Sequence, residues 1–66
     1  MKEKTLKQIG LLIKDARMSK HISQEELAWG CGITKNGLGK IELGKSNAKL
    51  TTLIKIFSHL GVDRKK

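Results

Sequence analysis

The chain has 66 residues and a formal charge of +8, from fourteen Lys and Arg against six Asp and Glu. Typical domains run about 100–150 residues, so this length holds one small domain, marginally stable because it buries only about 60% of its unfolded surface. One cysteine excludes an internal disulfide, no Cys–His cluster suggests zinc, and no apolar run or leader-like N-terminus points to a membrane, so a soluble intracellular protein is expected.

Without proline, repeats or low-complexity stretches, the chain is cut by glycines and polar clusters into segments of helical spacing. The first runs from about Lys4 to Lys20, with Leu6, Ile9, Ile13 and Ala16 three or four apart; Leu11 and Leu12 widen this stripe beyond one core's need. His21 follows it, and histidine tolerates the left-handed region better than most residues, so it reads as the cap. The second segment opens at Ser23, an N-cap with Glu26 three residues on, which together spell a capping box. Ile22 and Leu27 form a hydrophobic staple around it, and Leu27, Ala28 and Cys31 make the buried side, where Cys31 is expected to be an inert small hydrophobe.

The third segment repeats the device, with Thr34 as cap and Ile33 and Leu38 as staple pair. Leu38 and Ile41 face inward, and Gly44 can end the helix in the left-handed conformation. Gly37 and Gly39 each cost this helix about 1 kcal/mol relative to alanine; either the missing side chains let it seat close to a partner, the reading favoured here, or the cost is simply tolerated. The fourth carries Leu50, Leu53, Ile54, Phe57 and Leu60 as its stripe, with Gly61 to close it. Lys49 stands at its cap position without a capping side chain, and His59 near its end reads as a solvated cation at a helix C-terminus. Strand-type alternation appears nowhere. An all-α bundle of four to five short helices is expected, one domain over 1–66 with a core from 5 to 62 and a basic tail over 63–66.

Such a charge on so small a chain suits a polyanionic partner, although solubility alone could also account for it. Trp29 and Phe57 are the only aromatics, which argues against modules that stack single-stranded bases on aromatic platforms and leaves duplex binding open. Between Gln24 and Ile41, two helices are joined by three or four residues including Gly32, and Ala28 is small where the helices must approach. That constellation is a helix-turn-helix. The runs Ser23-Gln24-Glu25-Glu26-Leu27-Ala28, Gly32-Ile33-Thr34-Lys35 and Ile41-Glu42-Leu43-Gly44-Lys45, with Leu53-Ile54-Lys55-Ile56 and Leu60-Gly61-Val62, resemble the Cro/phage-repressor (XRE-type) DNA-binding domain from about Ile9 to Val62.

The resemblance implies a lambda-repressor-like bundle whose helix starting at Thr34 enters the major groove, with Lys35, Asn36 and Lys40 on base edges. It implies backbone contacts from Ser23, Gln24, Thr34, Lys45, Asn47 and Lys49, the N-terminus of the second helix adding its positive end. It further implies a structural ion pair between Arg17 and Glu42, both on inward faces, and a homodimer on two half-sites. Trp29 lies about 200° around its helix from Leu27, where the family normally has a charge; it is either an interface anchor or a ring lying over lysine stems.

Three roles fit this reading. One is a prokaryotic or phage repressor or autoregulator of transcription, cytoplasmic and nucleoid-associated. Another is an antitoxin, since Asn47-Ala48-Lys49-Leu50-Thr51-Thr52-Leu53 resembles the HipB-type run, which would add a protein toxin as partner. The last is a protein-interaction module that keeps the fold. No nucleophile–base pair or carboxylate dyad can be assembled, so neither an enzyme nor a cofactor is expected.

Overall fold

The computed structural model describes residues 3–61; Val62 and the basic stretch 63–66, assigned above to the end of the core and a tail, lie outside the described residues. Four helices follow in order: α1 Glu3–Ser19, α2 Gln24–Cys31, α3 Lys35–Glu42 and α4 Leu50–Leu60. No strand occurs among the described residues.

Local chemistry sets most of the boundaries. α1 stops where His21 takes φ 57°, and the Ile22 N–H donates back to the Arg17 carbonyl at 3.1 Å. α2 begins with the full capping box: Glu26 N–H donates to Ser23 Oγ at 3.0 Å, and Ser23 N–H to Glu26 Oε1 at 3.1 Å. Gly32 at φ 71° turns the chain, and Thr34 Oγ1 accepts from Gly37 N–H at 2.9 Å to start α3. Gly44 and Gly61, at φ 75° and 68°, follow α3 and α4 in the left-handed region. α4 opens at Lys49 with no side-chain cap.

The core holds Ile13 from α1, Leu27, Ala28 and Cys31 from α2, Leu38 and Ile41 from α3, and Leu53, Ile56 and Leu60 from α4. Ile9, Ala16, Ile22, Ile33, Ala48 and Phe57 pack around it half-buried, while Leu11 and Leu12 lie outside, more than half exposed.

Two features differ from the sequence reading. On α4 the buried stripe is Leu53, Ile56 and Leu60, with Phe57 half-buried; Leu50 and Ile54, expected inside, face solvent. Apolar residues cover more than half of this helix, so two stripes with the same spacing compete, and contact with α1 and α2 selects the one centred on Ile56. The second feature is Gly10, buried in mid-α1, where the local sequence gives no sign of a close contact. A Cβ there would run into the Glu42 carbonyl and come within 2.5 Å of the Ile41 carbonyl oxygen. The missing side chain lets α1 cross directly over the end of α3, and at Gly44 a Cβ would meet the Lys7 Cα at 2.7 Å in the same crossing.

Candidate nucleic-acid interface

α3 divides cleanly. Leu38, Ile41 and Glu42 are buried, while Asn36 and Lys40, one turn apart, are exposed on the opposite side and Lys35 is exposed in the first turn. Gly37 and Gly39 border this ridge, half-buried, so the helix presents a narrow polar edge without bulky flanks. Lysine and asparagine can donate to base-edge acceptors in a major groove.

Behind the ridge, one carboxylate ties three helices together. Arg17 of α1 grips Glu42 with both ends of its guanidinium, Nε to Oε2 at 2.7 Å and Nη2 to Oε1 at 3.2 Å. Its remaining Nη1 donates to the Ile22 carbonyl at 2.9 Å. Gln24, the first residue of α2, donates from Nε2 to Glu42 Oε1 at 2.9 Å. Only 5% of Glu42 is exposed, so its charge is met by Arg17 rather than by water. Sequence reading gave Glu42 one partner. Gln24 is a second, and one amide N–H of that glutamine is thereby committed inward, leaving the other for a ligand.

The positions expected on a DNA backbone surround this core. Ser23 and Thr34 are exposed, and each hydroxyl accepts from its own helix while keeping an O–H to donate. Lys45, Asn47 and Lys49 are exposed on the connection from α3 to α4. Among the described residues, no group of three or more His, Cys, Asp or Glu side chains could hold a metal ion.

Three further residues lie outside this face. Trp29 is 86% exposed, so its ring does not lie flat on lysine stems; it borders a shallow groove with Glu25, Thr34 and Lys35. His59 is exposed but is not merely solvated. Its ring covers Gly30 of α2, in the space where any larger residue would place a Cβ. Cys31 is buried, and burial pushes its thiol pKa up, with the nearby Lys55 charge partly opposing the shift.

A short-turn helix pair with a cationic second helix, braced from beneath by a buried ion pair, defines a DNA-binding helix-turn-helix module. The chain belongs to the helix-turn-helix family, of the Cro/C1 (XRE) type, whose profile matches residues 13–66. It is similar to the SPbeta prophage-derived uncharacterized HTH-type transcriptional regulator YonR of Bacillus subtilis strain 168, at 45% identity over 53 residues, covering 80% of this chain and 49% of that one. It is also similar to the ImmF control region 10 kDa protein of Bacillus phage phi105, at 37% identity over 57 residues, covering 86% and 63%. The chain thus spans between about half and under two-thirds of the length of these curated relatives. Among solved structures, the restriction-modification controller protein C.AhdI from Aeromonas hydrophila superposes with a TM-score of 0.87 at 28% identity, covering 92% of this chain and 88% of that one.

Proposed function

We propose that this protein is a sequence-specific duplex-DNA-binding regulator of transcription, acting as a repressor or autoregulator. The observation that carries the reading is the two-sided α3, where Lys35, Asn36 and Lys40 stand outward while Leu38, Ile41 and Glu42 fix the helix from behind. In the proposed complex those three side chains read base edges, and Ser23, Gln24, Thr34, Lys45, Asn47 and Lys49 hold the sugar–phosphate backbone. The named similarities, to a transcriptional regulator, a phage control-region protein and a restriction-modification controller, favour this role. They lend no support to a toxin partner, so the antitoxin alternative is set aside.

The module acts by binding rather than catalysis, in keeping with a family of DNA-binding regulators and with Glu42 being held by Arg17 and Gln24. It works on the nucleoid as a homodimer across a two-fold operator; no helix among the described residues is long and apolar enough to cross a membrane. Selection from a random duplex pool tests the reading: a palindromic site should emerge, and Lys35→Ala should cost about 1–3 kcal/mol while relaxing preference at one base position. A pool that returns no preferred sequence would reject it.

A further inference from the structure

Beside the reading helix, the surface holds an open groove between α1 and α3, lined by Lys7, Leu11, Lys14, Gln24, Gly39 and Leu43 and completed by the nearly buried Glu42. Leu11 and Leu43 are 55% and 60% exposed, so neither belongs to the core. Three observations connect this groove to the DNA face. Gln24 and Gly39 belong to both, since Gln24 opens α2 and Gly39 directly precedes Lys40 on α3. The surface at position 39 is open, since even a Cβ there would meet nothing nearer than the Gln24 amide nitrogen at 3.9 Å. The one acid in the lining is shielded by Arg17 beneath the surface, whereas Lys14 is exposed, so the groove presents positive charge over an apolar floor.

We propose that the sugar–phosphate strand of the operator runs on past Gln24 into this groove, where Lys14 holds a phosphate outside the base pairs read by α3 and Leu11 and Leu43 pack on deoxyribose. The proposal rests on the DNA-binding reading above. Phosphate and sugar together match a lining of lysine and leucine, and the groove continues the surface already assigned to the backbone. Lys14 is a positioning contact: it carries no base information and extends the footprint.

The test compares Lys14→Ala with Lys20→Ala. Both remove an exposed lysine, but Lys20 reaches towards Gly61 at the end of α4, away from the groove. Binding is measured against salt on the selected duplex in two forms, one with flanking base pairs and one trimmed to the selected site. Lys14→Ala should lower the log–log salt slope by about one per protomer, about two for the bound dimer, on the flanked duplex, leave base preference unchanged, and match wild type on the trimmed duplex. Lys20→Ala should behave as wild type on both. Equal slopes for the two variants on the flanked duplex would overturn the proposal, as would a Lys14 effect that survives trimming. A Lys14→Ala change in the sedimentation of the free protein would place a second copy or another protein in the groove, and would overturn it too. If Lys35→Ala and Lys45→Ala also leave binding untouched, or wild type binds neither duplex, the failure lies with the DNA-binding reading itself.

Discussion

Glu42 receives hydrogen bonds from Arg17 and Gln24 and is nearly sealed from water, so its loss strands a guanidinium and an amide together. Glu42→Ala should cost about 3–5 kcal/mol in urea unfolding, because an uncompensated charge remains below the surface. For a chain of this length, total stability at roughly 0.05–0.15 kcal/mol per residue is about 3–10 kcal/mol, so the variant should lose a large share of it and show a clearly lowered urea midpoint. Replacing both ionic partners with apolar residues should recover much of the loss. Cys31 offers a second readout. Its thiol pKa is raised by burial, so the stability gained by keeping it neutral is complete below the ordinary thiol pKa and is lost as pH climbs through the raised folded value. Urea midpoints should therefore fall on the alkaline side, and Cys31→Ala should flatten that fall.

At the level of the helices, glycines separate by what surrounds them. A Cβ at Gly39 enters open space, so Gly39→Ala should stabilise α3 by about 1 kcal/mol; one at Gly10 meets the backbone of Ile41 and Glu42, so Gly10→Ala should lower the melting temperature. Loss of operator affinity in the stabilised Gly39→Ala protein would show that the narrow edge of α3 serves close seating on DNA. Lys49→Ser should supply the cap that α4 lacks, worth about 0.5–2 kcal/mol, while weakening DNA binding if Lys49 holds a phosphate. The same elements show what the sequence makes legible. The caps at Ser23, Thr34 and His21 depend on neighbours within three or four residues, and both their place and their function could be read directly. The face of α4 could not, because Leu50 and Ile54 have the spacing of a core stripe and only the packing of α1 and α2 excludes them. The role of Gly10 is illegible for the same reason: the Ile41 and Glu42 carbonyls that require it lie more than thirty positions away in the chain. The hydrogen bond from Gln24 to Glu42 was equally hidden, since it depends on the angle at which α2 meets α3.

Across the whole molecule, a charge of +8 on 66 residues makes association strongly dependent on ionic strength. Lys45→Ala should weaken binding to all duplex sequences alike and lower the salt slope by about one per protomer, about two for the bound dimer; a loss confined to particular sequences would contradict a phosphate role. Because a single hidden carboxylate links α1, α2 and α3, the proposed recognition surface and the fold share one pivot. A genetic screen for derepression should accordingly return lesions of two kinds. Those at Lys35 or Asn36 would leave normal amounts of inactive regulator in the cell, whereas those at Arg17 or Glu42 would leave several-fold less, the more often unfolded chain being degraded.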